Sequence, residues 1–134
     1  MKVLVLEDDE LLASLLAEEL SEAGYEVLGP AETVAGAFGI IAQGQMPDLA
    51  LVDIRLRYGS RGTEFVKEAR ERFDFPCIFV SAEASEAFLH RHLALGYIGK
   101  PYPPAHIVEC VAMAEEMIEG RQPERIPEGF HLFA

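Results

Sequence analysis

The sequence predicts an α/β fold, a doubly wound five-stranded parallel sheet with five helices. Three observations predict it. Short apolar runs rich in Val and Leu, Val3-Leu4-Val5-Leu6 and Leu49-Ala50-Leu51-Val52, have the pattern of central strands covered on both faces. Strand-like and helix-like segments alternate along the chain, the order that builds a parallel sheet through right-handed crossovers. Carboxylates follow two of the runs, Glu7 and Asp8 after the first and Asp53 after the second. In open parallel sheets that end of the strands forms the ligand crevice.

The elements follow in order. Met1 to Leu6 read as the first strand, and Asp9 is placed to cap the helix behind it. Leu11, Leu12, Leu15, Leu16 and Leu20 recur at helical spacing and read as core, and Gly24 stops the helix. Tyr25 to Leu28 read as a second strand closed by Gly29-Pro30. Thr33 to Gln43 form a helix weakened by Gly36 and Gly39. Pro47 ends that connection, and Asp48 to Val52 are the third strand. Arg55 to Gly62 read as a loop, followed by a helix with Phe65, Val66 and Ala69 on one face. Pro76 to Val80 are the fourth strand, a helix lies around Ser85 to Leu93, and Gly96-Tyr97-Ile98 are a short fifth strand. The last helix carries Ile107, Cys110, Val111, Ala114 and Ile118 as an amphipathic stripe. The chain reads as one domain over residues 1–119 and an irregular tail over 120–134, whose Phe130, Leu132 and Phe133 can dock on the body.

Composition narrows the function. The chain has 134 residues, enough for one sizeable core, and no apolar run approaches the ~20 residues of a membrane span. Eleven Lys and Arg face 23 Asp and Glu, a net charge of −12. Such a surface repels phosphate backbones and anionic lipid, which argues against direct nucleic-acid or membrane binding. Cys77 and Cys110 lie far apart in a strand and a helix, which fits a reducing compartment; the expectation is a cytoplasmic protein. His90, His92, His106 and His131 share no helical face, so a histidine metal site is not expected.

Strand ends supply the chemistry. Glu7 and Asp8, Asp53, Ser81 and Lys100 all fall at one edge of the predicted sheet. Carboxylates about 4 Å apart repel by roughly 4 kcal/mol per pair at an effective dielectric near 20, a cost that a cation offsets. Oxygen-only ligands partly open to water suit Mg²⁺. A metal held by carboxylates, a carboxylate nucleophile, a hydroxyl and an ammonium together make a phosphoryl-transfer site.

With these residues in place, the chain resembles the receiver domain of bacterial two-component response regulators over residues 1 to about 119. The matching elements are Val-Leu-Glu7-Asp8, Leu-Val-Asp53-Ile-Arg-Leu, Val80-Ser81-Ala82 and Gly96-Tyr97-Ile98-Gly99-Lys100-Pro101. The resemblance implies a flavodoxin-like sheet of receiver type, similar to the chemotaxis regulator and standing alone. It implies that Asp53 accepts a phosphoryl group from a phosphohistidine on a sensor histidine kinase or histidine phosphotransfer protein. Asp8, Asp53 and the backbone carbonyl of Arg55 would bind Mg²⁺ directly, with Glu7 acting mostly through water. Lys100 would pair with the phosphoryl group, and the bond to Pro101 would be cis, an isomer that is cheap only before proline. Ser81 and Tyr97 match the family's switch pair: the hydroxyl turns toward the aspartyl phosphate and the aromatic follows it inward. Beyond self-phosphorylation and self-dephosphorylation no enzyme activity is implied; the output is an unidentified downstream protein, and a homodimer through the last three elements is open.

Two departures stand out. Arg55, Arg57 and Arg61 crowd the loop after Asp53, where they read as a solvated loop or as a guide for an acidic partner or phosphodonor. Arg55 and Glu83 occupy the family's lifetime-tuning positions and are expected to pair across the mouth. The competing readings are a pseudo-receiver that binds partners without phosphorylation, an Asp-nucleophile phosphohydrolase and a flavin module. The hydrolase usually needs a second Asp where Arg55 stands, and the flavin module a phosphate loop where Glu7-Asp8-Asp9-Glu10 would repel phosphate.

Overall fold

The computed structural model describes residues 1–56 and 59–133. Of the loop arginines, Arg57 therefore lies outside the described residues, as do Tyr58 and Ala134. The elements run β1 (Lys2–Leu6), α1 (Glu10–Glu22), β2 (Glu26–Ala31), α2 (Val34–Ala42), β3 (Leu49–Asp53), α3 (Gly62–Arg72), β4 (Cys77–Ser81), α4 (Ala84–Leu89), β5 (Gly96–Gly99), α5 (Pro104–Ile118) and β6 (Phe130–Leu132). The sheet order is β2-β1-β3-β4-β5-β6. The first five strands are parallel, as the alternation of segments predicts.

Two apolar layers sandwich the sheet. Leu4, Leu6, Val52 and Phe79 face α2 and α3, where Ala37, Ile41, Phe65 and Ala69 are buried. Val3, Val5, Leu51 and Ile78 face α1 and α5, against Leu16, Leu20, Ile107, Cys110 and Val111. The alternation along β1 and β3 follows from the pleat, and burial on both faces is why these strands read as unbroken apolar runs. Phe65 has no exposed surface, and truncating such a side chain to Ala costs about 3–5 kcal/mol. Local signals set the helix starts. The Asp9 carboxylate accepts the Leu12 N–H at 3.1 Å, and the Thr33 hydroxyl accepts the Gly36 N–H at 3.0 Å.

Four expectations need correction. The tail is not irregular throughout: Phe130–Leu132 add a sixth strand, antiparallel to β5, and Phe130 is buried. Leu11 and Leu15 are 71% and 40% exposed, because the apolar arc of α1 is wider than the stripe that α5 and the sheet cover. The second strand does not stop at Gly29-Pro30 but runs to Ala31, with a register shift opposite β1 between Leu4 and Leu6. The helix before β5 ends at Leu89, and Arg91–Leu93 form a separate 3₁₀ turn.

Candidate functional site

The sheet order reverses between β1 and β3, so their carboxyl ends open a crevice, and Glu7, Asp8 and Asp53 stand in it. One carboxylate oxygen from each lies within 4.8 Å of the other two. Glu7 and Asp53 are buried and Asp8 is half-buried. Local backbone fixes their aim. The Glu7 N–H donates to the Ala31 carbonyl at 2.9 Å, and its carboxylate accepts the Asp9 N–H at 3.1 Å. Asp53 Oδ1 accepts the Arg55 N–H at 3.2 Å.

Lys100 reaches in from just past β5. Its Nζ lies 2.9 Å from Glu7 Oε1 and 2.8 Å from Asp53 Oδ2. The backbone holds it there, through the Lys100 N–H donating to the Ser81 carbonyl at 2.9 Å, and the bond to Pro101 is cis. Burial works to lower the Lys100 pKa, but hydrogen bonds to Asp53 and Glu7 outweigh it and hold the ammonium above its usual range. The same ion pair fails to pull Glu7 down. Lost hydration, and a hydrogen bond shared with Asp53, push the Glu7 carboxyl above the usual carboxylate range. Burial and the neighbouring Glu7 raise Asp8 likewise. One ammonium against three carboxylates leaves a deficit of two charges, met by protons or by a divalent cation.

The other expected residues surround this cluster. Arg55 and Arg61 form an isolated bridge closed by the Gly62 N–H to the Ile54 carbonyl (2.8 Å) and the Leu56 N–H to the Ser60 carbonyl (3.1 Å). Neither bond uses the Arg55 carbonyl. Ser81, at the end of β4, is buried, and its hydroxyl is turned to Glu83, accepting that residue's N–H at 2.9 Å and donating to its carbonyl at 3.1 Å. Tyr97 is buried on β5, edge-on to Phe88 of α4 at 5.4 Å. Arg55 does pair with Glu83, Nη2 to carboxylate at 2.8 Å.

A family model of the response regulator receiver domain matches residues 3–112. The chain belongs to that family. The phyllosphere-induced regulator PhyR of Methylorubrum extorquens is 33% identical over 115 residues, covering 84% of this receiver chain and 43% of that protein. The receiver thus spans less than half the length of that curated relative. A CheY-like receiver domain protein of Methanospirillum hungatei superposes with a TM-score of 0.77 at 27% identity, over 89% of this chain and 96% of that one. TrrA of Thermotoga maritima, in complex with Mg²⁺-BeF, gives 0.71 at 29% identity, over 83% and 96% of the two chains.

Three features of the receiver escaped the sequence. Glu86 of α4 joins the loop arginines, 2.7 Å from Arg61 and 3.7 Å from Arg55, so these two arginines are neutralised within the chain rather than presented as free cations. A charge at i+25 or i+31 carries no local signal. His131 stacks on Tyr97, centroids 4.5 Å apart and planes 8° from parallel. The Tyr102 hydroxyl is buried without a hydrogen-bond partner among the described residues, and burial, with Glu7, Asp53 and Asp9 nearby, drives its pKa upward.

Proposed function

We propose that this receiver is a phosphoacceptor switch in which Asp53 takes a phosphoryl group from a phosphohistidine of a sensor histidine kinase or histidine phosphotransfer protein. The observation that carries the reading is Lys100 bridging Glu7 and Asp53 in a crevice that Asp8 also enters. An Asp53 oxygen attacks phosphorus in line, the P–N bond to the imidazole breaks, and the acyl phosphate stays on β3. Lys100 then exchanges a carboxylate partner for a phosphoryl oxygen without leaving its place, so the cation is preorganised for the transferring charge.

Three hard oxygen donors with a deficit of two charges fit Mg²⁺. Asp8, Asp53 and the Arg55 carbonyl would hold it, with Glu7 acting through water. When bound, it neutralises phosphoryl oxygens as charge redistributes. The Mg²⁺-BeF complex of TrrA supports the reading. Ser81 turns from Glu83 toward the new phosphoryl group, and Tyr97 follows. Arg55 and Glu83, paired across the mouth, slow the entry of water and lengthen the phosphorylated lifetime. The chain is then an acceptor rather than a turnover enzyme, and its output is binding to another protein.

The test is intact mass after incubation with acetyl phosphate and Mg²⁺. Wild type is expected to gain one hydroxylamine-labile phosphoryl group and Asp53→Asn none. Equal gain in both would remove Asp53 as acceptor. No gain with a small donor or with candidate kinases, while Mg²⁺ still binds, would favour the pseudo-receiver.

A further inference from the structure

We propose that β6 is a latch on the switch: docked, it holds Tyr97 stacked against His131 and opposes phosphorylation of Asp53, and phosphorylation releases it. The inference rests on the phosphoacceptor reading. The tail covers Tyr97. Cross-strand pairing sets His131 directly opposite Tyr97, and the two rings stack; Phe133 adds a third ring at 6.0 Å. Phe133 also reaches Phe88 of α4 at 5.5 Å, so the tail closes an aromatic box around the tyrosine. An inward shift of Tyr97 abandons that stack.

Gly96 shows that β5 is shaped for this strand. A Cβ there would collide with the His131 carbonyl oxygen and come within 2.6 Å of the Phe130 ring. Gly96 therefore lets the tail backbone close on β5. The docked strand is nonetheless short. Three paired residues, the Phe133 N–H to Leu95 carbonyl bond at 2.8 Å and the buried Phe130 ring hold it, so its release breaks few backbone bonds.

β5 connects the two sites. Tyr97 lies three residues before Lys100, whose ammonium touches Asp53, and Gly99 pairs with Ser81. A change of charge at Asp53 thus reaches β5, the strand that carries β6, through Lys100 at its carboxyl end. Coupling of this kind is reciprocal: what phosphorylation does to the tail, the tail does to phosphorylation.

The experiment is hydrogen exchange of the Phe130–Phe133 amides in the full chain, with Mg²⁺ alone and with Mg²⁺ plus beryllofluoride as phosphoryl mimic. Beryllofluoride is expected to speed exchange there about fivefold or more, the low end of ordinary coupling between sites. Gly96→Ala, which evicts the strand, is expected to bind beryllofluoride more tightly by a similar factor, since the reciprocity is one of binding free energies. His131→Ala with Phe133→Ala, which removes the rings and keeps the glycine, should move the same way if Gly96→Ala folds poorly. Normal phosphorylation of Asp53 with unchanged tail exchange, and unchanged beryllofluoride affinity in the variants, would overturn the latch and leave the acceptor reading standing. Wild type that gains no phosphoryl mass would overturn both.

Discussion

Replacing Lys100 by Met removes the ammonium that bridges Glu7 and Asp53. Its Nζ sits 2.9 and 2.8 Å from the two carboxylates, and both residues are at most 5% exposed. Without it, oxygens within 4.8 Å of each other face one another uncompensated. Unit charges at that separation repel by roughly 3.5 kcal/mol at an effective dielectric near 20. That agrees with the 3–5 kcal/mol lost when one partner of a buried pair is deleted, a large share of a total stability of about 5–15 kcal/mol. Urea unfolding in EDTA should show the variant about 3 kcal/mol less stable than wild type. Mg²⁺ should restore most of that loss, because it offsets the same charges. Acid should narrow the gap too. Glu7 has a raised carboxyl pKa and binds its proton more tightly when folded. The stability linked to that proton is present at low pH and is lost as pH rises from the ordinary 4.5 through the raised value. Removing Lys100 raises Glu7 further, so the gap should close at low pH and open toward neutrality. A gap that ignores both pH and Mg²⁺ would refute the electrostatic account and leave only poor packing of the methionine.

Other outcomes follow from the same geometry. Glu83→Ala should shorten the lifetime of phosphorylated Asp53 severalfold while lowering stability by less than about 1 kcal/mol, since the Arg55–Glu83 pair is largely exposed; an unchanged decay rate would refute its role in excluding water. Gly62→Ala should cost about 1–3 kcal/mol or more in a thermal melt, because a Cβ there collides with the Asp53 carbonyl oxygen and lies 2.6 Å from Val52 Cγ1; a variant melting with wild type would show that α3 can shift away freely. Burial pushes the Cys77 and Cys110 thiols up to about 12 from an ordinary 9.0. The folded chain thus keeps two protons that the unfolded chain gives up, and stability should fall as pH rises from 9 toward 12, by up to roughly 1.4 kcal/mol per pH unit for each thiol; a flat alkaline profile in urea melts would contradict their burial.

The parallel sheet was legible because burial on both faces writes itself as unbroken Val and Leu runs in β1 and β3. The carboxylate cluster was legible because strand ends converge in such a sheet, so Glu7, Asp8 and Asp53 could be placed together across 46 residues of chain. β6 was not. Phe130-His131-Leu132 is too short for periodicity, and two prolines precede it within ten residues. The pairing of Arg55 and Arg61 with Glu86 depends on how the loop after β3 folds over α4, which composition does not encode. Leu11 and Leu15 misled because helical spacing identifies an apolar arc but not the part of it that a neighbour covers.

The margins of the sheet carry one more consequence. At one margin β2 contains Pro30, which has no N–H to offer, and Glu26, which is exposed. At the other, β6 is only three residues long. An open strand edge is a template on which foreign strands can polymerise, and proline, charge and brevity each blunt it. This chain uses all three, beside a net charge of −12 that keeps copies apart. Growth of the sheet from one molecule into the next is thereby disfavoured. Self-association, where it occurs, falls to the helical flanks, and a concentrated solution of the protein should stay free of β-type fibres.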